Sequence, residues 1–218
     1  MYKGLYDNFS HWFHDGKGTV WFYSDPHFAD EDVKYFRGED HISDEEQIKR
    51  INSKIGKYDT LIILGDIGDT EWVKKIRGYK VLVIGNHDSG ANNYKRVKQE
   101  ITINNGSSPI DEGKKVIFYD NHLFDEVYEG ALIVSEKLIL SHEPVDYPFA
   151  FNIHGHTHDL PQRYDDTHWN MCAEAIDYTP VPLNQIIKSG VLKNVTSIHR
   201  DTIDRATLRK KNKEKFEI

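Results

Sequence analysis

Among its 218 residues the chain carries a single cysteine, Cys172, so no disulfide can form within it. That suits a reducing compartment, and the residue reads as a small buried hydrophobe in a strand rather than a reactive thiol. Long apolar runs are missing too. No stretch approaches the roughly 20 residues of a membrane-spanning helix. Met1 to Ser10, which includes Lys3 and Asp7, has no apolar centre of signal-peptide length. A cytoplasmic protein without a membrane partner is expected. Positive charge is in deficit: 28 Lys and Arg stand against 35 Asp and Glu, a formal net charge of -7. Sequence-independent nucleic-acid binding needs clustered cations, so nucleic acid is not an expected partner. Repeats and linkers are absent, and one domain over residues 1–218 is the simplest organisation. Within it, residues 201–218, with Lys210, Lys211, Lys213 and Lys215, read as a peripheral charged helix or tail.

What is present is a set of five short polar motifs, each at the end of an apolar run. Asp25-Pro26-His27 follows Val20-Trp21-Phe22-Tyr23, and Gly65-Asp66-Ile67-Gly68-Asp69 follows Leu61-Ile62-Ile63-Leu64. Gly85-Asn86-His87-Asp88 follows Val81-Leu82-Val83-Ile84, and Ser141-His142 follows Leu138-Ile139-Leu140. Gly155-His156-Thr157-His158 closes the run that ends at Ile153. Short continuous apolar runs are the mark of strands buried on both faces, and ligands of open α/β sheets bind just beyond strand ends.

Between the early runs, Ser43-Asp44-Glu45-Glu46 forms a capping box ahead of Ile48, Ile51 and Ile55, whose spacing marks an amphipathic helix. Thr70 is positioned to cap a short helix containing Trp72, Val73 and Ile76. This alternation implies parallel strands joined by right-handed crossovers. After about residue 105 the segments 116–119, 126–128, 131–135 and 137–140 are short and separated by turns, which predicts an antiparallel meander in a second sheet. Residues 181–190 are expected to hold a short helix.

The motifs offer carboxylates from Asp25 and Asp66, an amide oxygen from Asn86 and imidazoles from His27, His142, His156 and His158. A nitrogen and oxygen set without thiolate suits Mn²⁺, Fe, Zn²⁺ or Ni²⁺. Asp25 and His27 lie two apart, as do His156 and His158. On extended backbone such pairs share a face. Asp66 follows a strand and a glycine and can offer both oxygens to two cations. Two cations roughly 3.5–4 Å apart activate a bridging hydroxide and clamp an in-line displacement, which suits phosphoester hydrolysis. His87 is then the candidate proton donor to the leaving oxygen, with Asp69 or Asp88 to orient its ring.

The ordered set D-x-H, G-D-x-x-D, G-N-H-D, a lone H and G-H-x-H resembles the calcineurin-like metallophosphoesterase superfamily, across Asp25 to His158. Trp21-Phe22-Tyr23-Ser24-Asp25-Pro26-His27-Phe28 and Phe36-Arg37-Gly38 resemble a group of small bacterial and phage phosphoesterases. The resemblance implies a four-layer αββα sandwich, with two mixed β-sheets flanked by helices. It implies two divalent metal ions, manganese first among them. Asp25, His27, Asp66 and His158 would hold one, and Asp66, Asn86, His142 and His156 the other. His87 would be the catalytic histidine, oriented by Asp69. Many relatives carry a phosphate-binding arginine after the second motif, where this chain has Thr70. Arg37 is the expected substitute, alongside Asn86 and His87 as substrate contacts. The implied substrate is a small phosphomono- or phosphodiester, with a nucleotide as one candidate. Similar proteins include homodimers, so a homo-oligomer is compatible. The other readings are a non-catalytic metal-binding scaffold and a single-strand nuclease. The remaining histidines fall outside these motifs: His154 reads as structural, and His11, His14, His41, His122, His168 and His199 as surface residues.

Overall fold

A computed structural model describes residues 4–38, 41–89, 94, 97–103, 114–120, 123–200, 203–204 and 207. His122 and the four lysines near the C-terminus lie outside these residues.

The early apolar runs form β1 (Val20–Tyr23), β2 (Thr60–Ile63) and β3 (Tyr79–Val83). They pair in parallel, with Trp21 opposite Leu61 and Ile62 opposite Val81. Every residue of β2 is buried, as its unbroken apolar pattern requires. β4 (Val97–Ile103) and β5 (Lys114–Asp120) form a separate antiparallel pair. β6 (Glu126–Tyr128) lies parallel to β3, and β11 (Val181–Pro182) runs antiparallel on the other edge beside β1. The first sheet therefore has the order β11-β1-β2-β3-β6. The second contains β7 (Leu132–Ser135), β8 (Leu138–Leu140), β9 (Phe151–His154) and β10 (His168–Asn170), in the order β10-β9-β8-β7. Both sheets are mixed, and with the helices they make an α/β sandwich.

The expected meander holds only for the β7–β8 hairpin. β5 leaves to pair with β4, β6 joins the first sheet, and β9 and β10 run parallel to β8. Turn residues mark where a strand ends but not which sheet it joins, and that choice is made by packing.

Helix α1 (Val33–Arg37) is short, and α2 (Asp44–Lys54) begins at the capping box, where Ser43 Oγ accepts from the Glu46 amide at 3.3 Å. α2 buries Gln47, Ile48 and Ile51. Helix α3 (Leu183–Ser189) ends at Gly190 in the left-handed region, a position that favours glycine. The helix expected after Thr70 is reduced to one 3-10 turn, Val73–Lys75. A 3-10 segment ahead of β1, Asp7–Gly16, buries Phe9 and Trp12.

One apolar cluster joins both sheets, with Phe22, Leu61, Ile62 and Val81 from the first and Leu138, Leu140, Phe151 and Trp169 from the second. Each fully buried side chain of this kind contributes about 1.5–3 kcal/mol relative to exposure. The tryptophans pack: Trp12 and Trp169 are fully buried, and Trp72 stacks on Phe28 at 6.1 Å. Among the described residues no helix is long and apolar enough to cross a membrane. What the fold does for the site is to bring the C-terminal ends of β1, β2 and β3 to the C-terminal ends of β8 and β9. The chain immediately beyond those five ends carries all five motifs.

Candidate metal centre

The loops leaving β1 and β2 run side by side. The amides of Asp25, His27 and Phe28 donate to the carbonyls of Gly65, Asp66 and Ile67 at 3.1, 3.0 and 2.9 Å. The convergence of paired ligands does not come from strand alternation, as the spacing suggested. Asp25, His27, Asp66 and His156 all have positive φ, at 53°, 46°, 51° and 67°. Such left-handed conformations cost about 1 kcal/mol or more each in non-glycine residues and collect at functional sites. Here they set the directions in which the four ligand side chains leave the loops.

Close packing locks the arrangement. A Cβ on Gly155 would lie 2.2 Å from Asp25 Oδ2, and one on Gly85 would lie 2.2 Å from Asp66 Oδ1. Only a residue without a side chain lets these loops meet the carboxylates.

The two carboxylates are used alike. Asp25 Oδ2 accepts from the His156 amide at 3.0 Å and the Cys172 thiol at 3.3 Å, with the Ser24 hydroxyl beside them. Asp66 Oδ1 accepts from the His87 amide at 2.9 Å. In each residue the second oxygen faces imidazoles. Asp25 Oδ1 lies 3.5 Å from His158 Nε2 and 4.0 Å from His27 Nε2. Asp66 Oδ2 lies 3.7 Å from His27 Nε2 and 3.4 Å from His142 Nε2.

Three imidazoles are oriented by an acceptor on their far side. His27 Nδ1 donates to Asp30 Oδ2 at 2.9 Å, His142 Nδ1 to Leu64 O at 2.8 Å, and His158 Nδ1 to Glu174 Oε1. A nitrogen that gives its proton there leaves the lone pair of Nε2 pointing into the centre. Asn86 Oδ1 completes the set, 2.7 Å from His142 Nε2 and 3.0 Å from His156 Nδ1.

Donor atoms close enough to share an ion fall into three groups, Asp25, His27 and His158 in one, Asp66, His142 and His156 in another, and His158, Cys172 and Glu174 in the third; the first two are drawn from the motifs. These residues fit a pair of cations. Asp25 Oδ1 is a buried carboxylate oxygen that takes no hydrogen bond among the described residues, an arrangement that is costly without a positive partner. Asn86 Oδ1 and Asp66 Oδ2 also both approach the bare His142 Nε2, at 2.7 and 3.4 Å.

The fold is shared with a solved structure. The protein of unknown function AQ665 from Aquifex aeolicus matches with a TM-score of 0.54 and 21% identity, over 78% of this chain and 98% of that one. Pseudomonas putida nuclease MPE matches with a TM-score of 0.36 and 20% identity, over 64% and 61% of the two chains. YfcE, a phosphoesterase from E. coli, matches with a TM-score of 0.36 and 14% identity, over 76% and 82%. No protein-family model matches the sequence, and no curated protein does.

His87 stands outside the donor set. It is exposed, and its ring meets that of His27 edge-on at 5.6 Å between centroids. Neither candidate for orienting it does so among the described contacts. Asp69 Oδ1 accepts from the Glu71 amide at 2.9 Å. Asp88 accepts from the amides of Asp66, Ile67 and Gly85 at 3.0, 2.9 and 2.8 Å, and so ties the second and third motifs together.

Arg37 is placed differently from the expected phosphate clamp. Its side chain is 2% exposed, and Nε donates to Glu174 Oε2 at 3.0 Å. The other guanidinium nitrogens donate to the carbonyls of Pro26, at 3.1 Å, and Asp25. Chain connectivity right after the first motif brings the guanidinium back under that motif's own backbone, so it braces the loop from inside.

Glu174, Asp30 and Cys172 are contacts that motif reading missed. Cys172 is no plain hydrophobe: burial, then the Asp25 charge, push its thiol well above its ordinary pKa, so it stays a protonated donor to Asp25. Burial would lower His158, but the hydrogen bond and charge of Glu174 outweigh it and hold the imidazole above its ordinary value. His154, expected to be structural, is fully buried. Burial pulls its pKa down to about 4, and its ring bridges Gly155 O at 2.7 Å and Tyr164 Oη at 2.8 Å. His168, expected at the surface, is 5% exposed and donates to Asp165 Oδ2 at 2.8 Å.

Proposed function

We propose that the chain is a metal-dependent phosphoesterase. The observation that carries this reading is Asp66 Oδ2, which lies within 4 Å of an imidazole from each donor group, 3.7 Å from His27 and 3.4 Å from His142. A single carboxylate oxygen between two ligand sets is what a dinuclear site needs. Asp25, His27, Asp66 and His158 would hold one cation, and Asp66, Asn86, His142 and His156 the other. Mn²⁺ is the first candidate, with Fe, Zn²⁺ and Ni²⁺ as alternatives. When bound, such a pair supplies a nucleophile at neutral pH and Lewis-acid stabilisation of a phosphoryl oxygen.

The chain's own residues do the rest. His87 stays off the donor set with its ring exposed beside His27, so it can pass a proton to the leaving oxygen. Its backbone amide meanwhile holds Asp66 Oδ1. Asp69 enters as the cap of the loop that carries Asp66, through the Glu71 amide. Two cavities of about 250 Å³ flank the centre. The one beside His27 is lined by the carboxylates of Asp30, Asp44 and Glu45 and by the basic groups of Arg37 and His41. The one beside Asn86 and His142 is walled by Ile84, Ala131 and Val145, with Glu143 on its rim. A volume below the 300–1,000 Å³ of typical ligand pockets suits a small phosphoester.

The test is hydrolysis of p-nitrophenyl phosphate and bis-p-nitrophenyl phosphate by protein stripped of metal and reloaded with each cation. Turnover that needs metal and is lost in Asp66→Ala and His87→Ala supports the assignment. Two bound ions with no turnover of either ester would overturn it.

A further inference from the structure

Glu174 is 20% exposed and stands between two donors, each on its own carboxylate oxygen. Oε2 accepts from Arg37 Nε at 3.0 Å, and Oε1 accepts from His158 Nδ1. The guanidinium cannot give up its proton, so the oxygen facing Arg37 must remain an acceptor. Arg37 is in turn fixed by the carbonyls of Asp25 and Pro26. The side of Glu174 that meets His158 is therefore set from the first motif.

From this geometry, and resting on the phosphoesterase reading above, we propose that Glu174 is a positioning residue that fixes the tautomer of His158, with Arg37 deciding which of its oxygens does so. With the proton held on Nδ1, Nε2 presents its lone pair beside Asp25 Oδ1 at 3.5 Å. The first cation position thus depends on a residue that acts through His158. The second position does not, because His142 takes its orientation from the Leu64 carbonyl at 2.8 Å. No titration is involved; the device works on a neutral imidazole.

A shape-preserving substitution gives the sharpest test. In Glu174→Gln, Arg37 claims the amide oxygen, so the amide NH₂ faces His158 Nδ1. That donor requires a bare Nδ1 and moves the imidazole proton to Nε2, where a cation must bind. Glu174→Ala removes this acceptor without putting a donor in its place. The amide variant is therefore expected to be worse than alanine for the first cation position, yet better for folding, since it keeps the volume and the Arg37 bond. A merely structural role gives the same order for both properties.

Long-range ¹H–¹⁵N NMR of the metal-free full chain, at alkaline pH where imidazoles are neutral, reads the tautomer directly. The expected result is Nδ1–H for His158 in the wild type and Nε2–H in Glu174→Gln. In Mn²⁺ titrations one of two binding events should weaken about 10–100-fold in Glu174→Gln and less in Glu174→Ala. Melting temperatures should rank in the opposite order. The same tautomer in wild type and Glu174→Gln, or Mn²⁺ binding weakened more by alanine than by glutamine, overturns the proposal. A wild type with the expected tautomer that binds none of Mn²⁺, Fe²⁺, Zn²⁺ or Ni²⁺ leaves the Glu174 assignment standing and sinks the phosphoesterase reading, so the two failures are distinct.

Discussion

Asp25 Oδ2 holds the backbone amide of His156 at 3.0 Å, across 131 positions of chain. This one bond joins the loop after β1 in the first sheet to the loop after β9 in the second. It also commits that oxygen, which leaves Oδ1 to face His27 and His158. Asp66 repeats the device with the His87 amide at 2.9 Å. The motifs of the centre are thus tied to one another by hydrogen bonds of their own.

Gly155→Ala tests that assembly. The new methyl group would sit 2.0 Å from Ser24 Oγ and 2.2 Å from Asp25 Oδ2. Overpacking of this kind costs about 1–3 kcal/mol. Chemical denaturation should show that loss, and Mn²⁺ affinity should fall with it. An alanine variant with wild-type stability and affinity would mean that the loops are not held this tightly.

Glu126 should make stability depend on pH. It accepts from Tyr128 Oη, from His11 Nε2 at 2.6 Å, from Trp12 Nε1 at 2.9 Å and from Tyr79 Oη at 2.8 Å. Burial would raise its pKa, but these donors outweigh it and hold the carboxyl below the ordinary glutamate value. A depressed pKa stabilises the fold fully above the unfolded value of about 4.3. That contribution is lost as pH falls through the folded value. Glu126→Gln should therefore cost about 1–2 kcal/mol at neutral pH, with a gap to wild type that narrows below about pH 4. A gap independent of pH would contradict this.

Arg37→Ala should act through stability and not through substrate affinity. Removing one partner of a buried ion pair costs about 3 kcal/mol. The expected outcome is a lower melting temperature, weaker metal binding and an unchanged KM for the fraction that remains loaded. A raised KM with full metal loading would restore Arg37 as a phosphate contact.

His87→Ala should separate binding from chemistry. Its ring is not among the grouped donor atoms, so two cations should still bind. Turnover should fall by roughly 10²–10⁴, the usual scale for loss of a general acid. Loss of a bound cation would instead make His87 part of the ligand scaffold.

Much of this was legible in the chain. Unbroken apolar runs such as Leu61-Ile62-Ile63 mark buried strands, and the polar residues after them fall where strand ends must be. That is enough to bring Asp25, Asp66, Asn86 and His142 to one place. The supporting contacts were not legible, because Glu174, Asp30 and Cys172 carry no motif and reach the centre only through the tertiary fold. Cys172 meets Asp25 from 147 residues away. The left-handed turns at His27 and His156 were hidden for a similar reason: nothing local in those residue types requires positive φ, and the contacts around them impose it. Strand β6 was misplaced because its three residues, Glu126–Tyr128, carry too little pattern to show which sheet buries them.

The central claim is that Asp66 bridges two cation positions. Crystals of the wild-type chain soaked in Mn²⁺ and measured at the manganese absorption edge test it most directly. Two anomalous peaks are expected, one on each side of Asp66 Oδ2, about 3.5–4 Å apart. A single peak held by one histidine group, with Asp66 bound on one side only, would contradict it.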